Sequence, residues 1–311
     1  MSKVVVTGGA GFIGSHLVDA LLSQGNRVLV IDDLSTGNKE YLHPEVDFLE
    51  LDICKDKTAQ EIKRFKPNQI FHLAAQKNLR YSLEHPDEDA NINIIGSIKL
   101  LEAAREIQVE KFLFASTGGA IYDADEARPT PETGLAAPIS PYGIGKRAFE
   151  YYLSAYTKVY KMPSAALRLA NVYGPRQDPK GEAGVVAIFI DHVLHNRSPQ
   201  INGDGSQTRD FVFVSDVVRA FIAAADSDRV GIFNVGTSQE TSISQLWSLI
   251  KDSMHSDLEA KHGPEIPGEL MASSLDVQKS AKELNWGPSI DVAMGINETV
   301  SWFFKQQKYA K

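Results

Sequence analysis

The stretch Val4-Val5-Val6-Thr7-Gly8-Gly9-Ala10-Gly11-Phe12-Ile13-Gly14 constrains this chain more than any other. An apolar, β-branched run ends in a cluster of glycines, and a helical period opens at about Phe12. Glycines 8, 11 and 14 fit G-x-x-G-x-x-G, and glycines 9, 11 and 14 fit G-x-G-x-x-G. A strand feeding such a turn brings backbone amides close to a pyrophosphate, and the helix then packs on the strand at Gly14. The helix N-terminus adds unpaired N–H donors and a partial positive charge. A second apolar run, Arg27–Asp32, ends in a carboxylate about 20 residues after the glycines, where it can accept hydrogen bonds from an adenosine ribose. Asp32 would repel a 2′-phosphate, so NAD is expected rather than NADP, and Asp33 beside it points the same way.

Short apolar runs then alternate with helical periods. Strands are predicted at Lys3–Thr7, Arg27–Asp32, Val46–Leu51, Gln69–Leu73, Lys111–Ser116 and Ser164–Leu169. Helices are predicted at Phe12–Gln24, Lys57–Phe65, Asp87–Gln108 and Tyr142–Tyr160. This is the rhythm of βαβ units in a doubly wound parallel sheet, a Rossmann-type α/β fold, and strands apolar on both faces agree with helices covering both sides. After about residue 170 the rhythm changes. Asn171–Gly184 reads as a loop and Val185–His195 as a helix, with a turn at Asn202-Gly203-Asp204-Gly205. Residues 211–225 read as strand then helix, and Gly231–Val235 as a strand. Two units are expected: residues 1–170 with about 210–240 for the cofactor, and a smaller, discontinuous α/β unit of about 171–209 and 241–311 for the substrate.

Bulk properties exclude several classes. A net charge of −8 argues against nonspecific nucleic-acid binding. Met1-Ser2-Lys3 runs straight into the first strand, too short an apolar start for a secretion signal, and no stretch is long and apolar enough to span a membrane. The one cysteine, Cys54, precludes an internal disulfide, fits a cytoplasmic protein, and is expected to be inert. No metal is called for.

Ser140-Pro141-Tyr142-Gly143-Ile144-Gly145-Lys146 contains Y-x-x-x-K just after a proline that can start a helix. Residues i and i+4 share a helical face, so Tyr142 and Lys146 can address one site. Tyrosine, with an ordinary pKa near 10, is a poor base at neutral pH. A neighbouring ammonium favours the phenolate, which can take a proton from a hydroxyl while hydride leaves the same carbon.

With these motifs the chain resembles the extended short-chain dehydrogenase/reductases and, among them, the UDP-glucose 4-epimerases. The resemblance runs from Lys3 to about Phe304. It includes Thr7–His16, Asp52-Ile53, His72-Leu73-Ala74-Ala75, Asn93-Ile94-Ile95-Gly96, Ser140-Pro141-Tyr142, Asn171–Gln177, Arg209-Asp210-Phe211-Val212, Asn234-Val235-Gly236 and Pro267-Gly268-Glu269. It implies NAD contacts at Gly8, Gly11, Phe12, Ile13, Gly14, Asp32, Asp33, Asp52, Ile53, Leu73, Ala74, Ala75, Lys77, Asn93, Tyr142 and Lys146. Tyr142, Lys146 and Thr117 are the implied catalytic set. Thr117, Asn171, Val186, Arg209, Glu269 and Ser273 are the implied contacts to a UDP-sugar, and a homodimer is implied through the helices near 87–108 and 142–160. The implied activity is 4-epimerisation through a transient 4-keto sugar. A dehydrogenase or reductase with net redox on the same scaffold stays open at this point.

Several positions depart from the resemblance. Gly118 stands where relatives carry Ser or Thr, so Thr117 is expected to supply the hydroxyl. Gly119 and Ala120 stand where dehydratases and decarboxylases carry acids, which disfavours both reactions, since 4,6-elimination needs an extra acid and base. Ile266 stands where relatives have an arginine on the diphosphate; Arg176, Lys261 or His262 are candidate substitutes. Asp123 replaces the usual glycine. The small Ser273 is expected to admit N-acetylated sugars as well as plain hexoses.

Overall fold

A computed structural model of the chain describes residues 2–180, 184–265 and 270–309. In chain order the elements are β1 (Lys3–Thr7), α1 (Phe12–Ser23), β2 (Arg27–Asp32), β3 (Asp47–Glu50), α2 (Asp56–Phe65), β4 (Gln69–His72), α3 (Leu79–Glu84), α4 (Pro86–Ala90), a π-helical turn (Asn91–Gly96), α5 (Ser97–Glu106), β5 (Lys111–Thr117), α6 (Pro141–Tyr160) and β6 (Ser164–Leu169). There follow β7 (Asn171–Tyr173), α7 (Val185–Leu194), β8 (Gln200–Asn202), β9 (Thr208–Arg209), β10 (Phe211–Phe213), α8 (Val214–Asp226), β11 (Gly231–Val235), β12 (Thr241–Ser242), α9 (Ile243–Ser253), β13 (Lys261–Gly263), α10 (Gln278–Leu284) and α11 (Val292–Tyr309).

Seven strands form one parallel sheet in the order β3-β2-β1-β4-β5-β6-β11. This is the Rossmann-type architecture expected from the alternating pattern. Chain order reverses between β1 and β4, so the carboxyl ends of these two strands border a crevice, the place where such sheets bind ligands. Period-two alternation divides the core. Val4 and Val6 pack with Leu17, Leu21, Phe221 and Phe233 on the α1/α8 side. Val5, between them, packs with Leu100, Phe112 and Phe149 on the α5/α6 side. Burying each large side chain contributes about 1.5–3 kcal/mol, which makes this double-sided core the main source of stability.

A third core lies in the C-terminal part, where Phe189, Trp247, Phe211 and Ile296 meet. Phe189 and Trp247 pack edge to face at 5.9 Å. The chain leaves the sheet after β6, makes β7 to β10, and returns to the sheet edge as β11.

The helix expected over Asp87–Gln108 runs without a break from Pro86 to Glu106, with the π-helical turn between α4 and α5. One reading is corrected. The loop expected over Asn171–Gly184 begins with β7, a three-residue strand whose partner β10 is about 40 residues away, so no local pattern announces it. Helices α3, α9, α10 and α11 also lie outside the predicted set.

One ion pair is enclosed by the sheet. Glu150 of α6 takes Arg168 of β6 through both oxygens, at 2.9 Å from Nε and 2.7 Å from Nη2, and also accepts from Ser116 Oγ and Arg147 Nη1. Removing one partner strands a charge in low dielectric. Arg168→Leu should therefore cost about 3 kcal/mol in denaturant unfolding, and adding Glu150→Leu should restore part of the loss. A single variant as stable as the parent would show the pair to be energetically silent.

Candidate active site

The glycine turn is dictated by crowding. Gly8 has φ +71°, and a methyl group on it would lie 2.6 Å from the Ala74 amide nitrogen. A methyl on Gly14 would lie 2.0 Å from the Gly8 carbonyl oxygen. Gly11, by contrast, has only that same oxygen near its open side, at 3.2 Å. Gly11 is the N-cap of α1, no side chain caps the helix, and its first turn carries no acid. The leading amides at Phe12 and Ile13 are thus free of an anionic competitor. An anion-seeking cradle of backbone amides remains, so the residues present fit the pyrophosphate of NAD.

The rim follows from the strand ends. Asp32, buried at the end of β2, accepts from the amides of Ala10 and Leu34, both at 2.9 Å. Each carboxylate oxygen keeps further acceptor capacity. Asp33 accepts from Ser35 N and Oγ through one oxygen. Asp52 turns its own loop, accepting from Cys54 N at 2.7 Å, and Ile53 is buried beneath Gly96. Leu73 and Ala74 both donate to the Thr7 carbonyl, which holds the segment through Ala75 against Gly8. Lys77 is exposed. Asn93, on the π-helical turn, is buried and clasps Gln76 through both its amide groups. His72 is not a titrating group: its nitrogens are taken by Thr7 and Ser97, and burial pushes it down to about 3. Burial likewise pushes the Cys54 thiol up to about 11, in line with an inert residue.

Across the crevice, Ser140 caps α6 by accepting from Gly143 N, and Pro141 opens the helix. Thr117, the last residue of β5, lies near Tyr142, and its hydroxyl favours the phenolate. Lys146 Nζ donates to the Ala115 carbonyl at 2.9 Å and lies 5.9 Å from the Tyr142 ring centre. The three residues expected to work together are therefore together. The expected lowering of the phenol is not found in the protein alone. Tyr142 keeps some exposure, yet burial pushes it up to about 12, with the Thr117 hydroxyl opposing. Burial pushes Lys146 down to about 8, with Asp89 and Glu150 opposing.

The departures at this corner acquire reasons. A methyl on residue 118 would lie 2.5 Å from Leu275 Cδ1, so a side chain there would have to displace the end of Leu275 in the C-terminal wall. Asp123 accepts from the Asp125 amide and closes a turn. Tyr122 is held from behind, with its hydroxyl on Asn234 Oδ1 and the Arg168 guanidinium 4.7 Å above its ring.

On the far wall, Asn171 anchors β7 through its amide to the Asp210 carbonyl. Arg209 is partly buried on β9, opposite Thr241. Val186 is 1% exposed, so its side chain belongs to the core and only its backbone, at the start of α7, can serve a ligand. Ser273 is half-buried in the segment that runs past Thr130 and Gly118. Glu269 and Ile266 lie outside the described residues. Among the candidate substitutes for the missing arginine, Arg176 is tied to Asp19 at 2.7 Å, while Lys261 and His262 are exposed on β13.

Comparison with known proteins agrees with this geometry. The profile of the NAD dependent epimerase/dehydratase family matches residues 4–236. The chain belongs to the NAD-dependent epimerase/dehydratase family. It is thus an enzyme of the extended short-chain dehydrogenase/reductase type, with NAD as its cofactor. It is 45% identical to a putative UDP-glucose 4-epimerase of Methanocaldococcus jannaschii, over 96% of this chain and 97% of that one. A solved UDP-glucose 4-epimerase of Thermotoga maritima, in complex with UDP-glucose, superimposes with TM-score 0.96 at 44% identity, covering 98% and 99% of the two chains. A UDP-N-acetylglucosamine 4-epimerase of Methanobrevibacter ruminantium, in complex with UDP-N-acetylmuramic acid, gives TM-score 0.94 at 36% identity, covering 98% and 99%. No described helix of this family member is long and apolar enough to cross a membrane.

Sequence reasoning missed Gln76, Ser82, Asp89 and Leu275. Ser82 Oγ accepts from the Tyr142 amide, and Asp89 holds Gln76 and Asn93. Only Asp89 left a trace, four residues before Asn93 and so on its helical face. The crowding at Gly14 has a direct test. Gly14→Ala should cost about 1–3 kcal/mol of stability through overpacking and yield protein without bound NAD, read by releasing nucleotide from the purified enzyme. A full complement of NAD would refute the cradle.

Proposed function

We propose that this enzyme is a UDP-sugar 4-epimerase acting on UDP-glucose and UDP-galactose, with UDP-N-acetylhexosamines also accepted. The observation that carries the proposal is the Tyr142–Lys146 pair on one helix face, with Lys146 Nζ 5.9 Å from the Tyr142 ring, Thr117 at the adjoining strand end, and the uncharged Gly119 and Ala120 beside it. Redox at a carbinol carbon needs one base and one oriented cation. Elimination or decarboxylation needs acids that are missing here.

Bound NAD⁺ supplies a two-electron acceptor and a formal positive charge. Tyr142 then takes the 4-hydroxyl proton, Thr117 orients the phenol oxygen, and Lys146 stabilises the phenolate. Because burial alone holds the phenol near 12, the base exists only when cationic charge offsets that burial. The hydride that leaves C4 for that acceptor would come back to the opposite face of the 4-keto sugar once the sugar has turned over, while Tyr142 returns the proton to O4, which completes the inversion. Asp32, with Asp33, Asp52 and Ile53, serves the adenosine end of the cofactor. Leu73 to Ala75, Lys77 and Asn93 border the rest of it. Asn171, Arg209, the α7 backbone at Val186, and Glu269 hold the UDP, while the sugar is held loosely enough to turn over. In this reading residues 1–170 with about 210–240 carry the cofactor, and about 171–209 with 241–311 carry the substrate, in a cytoplasmic enzyme.

Ile144, Tyr151, Tyr152 and Val159 form an exposed apolar row on α6, with Leu83 and Ile95 also exposed. Spacing of seven and eight residues puts the α6 members on one face. That face supports a homodimer.

Incubating purified enzyme with UDP-galactose, and no added cofactor, should produce UDP-glucose by proton NMR. Tyr142→Phe should lose about 10²–10⁴-fold in turnover while keeping its NAD. Stoichiometric consumption of added cofactor without an epimer would favour a dehydrogenase instead. For sugar size, Ser273→Tyr should depress UDP-N-acetylgalactosamine turnover about tenfold or more relative to UDP-galactose, the effect of lost pocket volume. An unchanged ratio would remove Ser273 from specificity.

A further inference from the structure

Asp89 is a buried carboxylate that the reaction as derived does not use. It lies on α4 and is 1% exposed. Its Oδ1 accepts from Gln76 Nε2 at 2.8 Å and from Asn93 Nδ2 at 3.0 Å. Its Oδ2 is buried and accepts no hydrogen bond. Native proteins rarely leave a buried carboxylate oxygen unpaired, because desolvation then goes uncompensated. The free oxygen faces the catalytic helix: a methyl built on Gly145 would come 3.2 Å from Oδ2 and 3.3 Å from Asn93 Cβ. Glycine at 145 thus lets α4 and the π-helical turn close on α6 one residue before Lys146.

The charges around this contact are few. On α6, Lys146 and Tyr142 both feel Asp89. Glu150, one turn further along, is already shared by Arg168 and Arg147. His72, beneath Lys146, is held neutral. The π-helical turn contributes uncharged Asn93. On α3 and the segment joining it to α4, Arg80, Glu84 and His85 are exposed, as are Asp87 and Glu88 on α4. Asp89 is therefore the buried carboxylate near Lys146 that is not already paired with an arginine.

We propose that Asp89 is a positioning residue, whose Oδ1 fixes the Gln76–Asn93 corner and whose Oδ2 is the counter-charge of Lys146 across the α4–α6 contact. The proposal rests on the epimerase reading for its catalytic meaning, and on geometry for the contact itself. A negative charge facing both Tyr142 and Lys146 makes each harder to deprotonate. Burial already brings Lys146 down to about 8. Without Asp89 its ammonium loses its proton nearer neutrality, and the cation that steadies the Tyr142 phenolate is lost within the working range.

Asp89→Asn tests this with the least disturbance, because its oxygen can still accept from Gln76 and Asn93 while the charge is gone. In the NAD-loaded enzyme, NMR of isotope-labelled lysine should show Lys146 titrating about one pH unit lower than in the parent. Both limbs of the pH–turnover profile should move to lower pH by a similar amount, with KM for the UDP-sugar unchanged. Should this variant fail to fold, the parent alone still decides: the Asp89 carboxyl carbon must show an inflection at the Lys146 titration. A Lys146 titration unmoved in Asp89→Asn, or an Asp89 carbon blind to it in the parent, would reduce Asp89 to a scaffold. The Lys146 readings require no turnover. A parent that leaves UDP-sugars unchanged would sink the epimerase reading, while the pairing of Asp89 with Lys146 would still stand or fall on those titrations.

Discussion

The contact between Gly14 and the Gly8 carbonyl is what the rest of the molecule is arranged around. The 2.0 Å that would separate a methyl from that oxygen means α1 lies directly on the glycine turn. That approach directs the uncapped end of α1 at the crevice between β1 and β4. The same turn abuts the Leu73–Ala75 segment, which also hangs from β1 through the Thr7 carbonyl. One backbone geometry therefore sets the phosphate cradle and its neighbouring wall together. The double-sided core behind it leaves little room to relax.

Across the crevice the governing quantity is the cost of burying charge. Tyr142, Lys146, Asp89 and Glu150 stand close to one another in or beside a water-poor corner; Asp89 and Glu150 help Lys146 keep its proton, and Asp89 does the same for Tyr142. Glu150 is quenched by two arginines and stabilises the sheet. Tyr142 and Lys146 are left in a balance that a cation can tip. A resting phenol near 12 is not a defect of such a site. In the proposed reaction it would confine the strong base to the state in which cofactor charge is present, and keep the proton taken from the sugar close enough to be returned.

The first half of the fold was legible in the sequence because its signals are local. β1, β2 and β6 begin and end where the apolar runs do, and α6 begins at the proline. Tyr142 and Lys146 were legible for the same reason, since helical spacing alone brings them to one face. The helix over Asp87–Gln108 was half-legible. Its period is there, but that period gives no sign of the π-helical turn that carries Asn93. β7 and β9 escaped notice because strands of two or three residues have no period, and their partners are distant in the chain.

By itself, then, the sequence determined the parallel sheet, the NAD cradle, the carboxylate at Asp32 and the tyrosine–lysine pair, because each is written in residues within one element or one turn of each other. Tertiary structure alone decided what crowds residue 118, since Leu275 arrives there from more than 150 positions away. It also decided that Arg176 serves Asp19, that Val186 offers only its backbone, and that Asp89 turns a bare oxygen towards the catalytic helix. Such facts depend on which surfaces exclude water from one another, and desolvation has no signature along a linear chain.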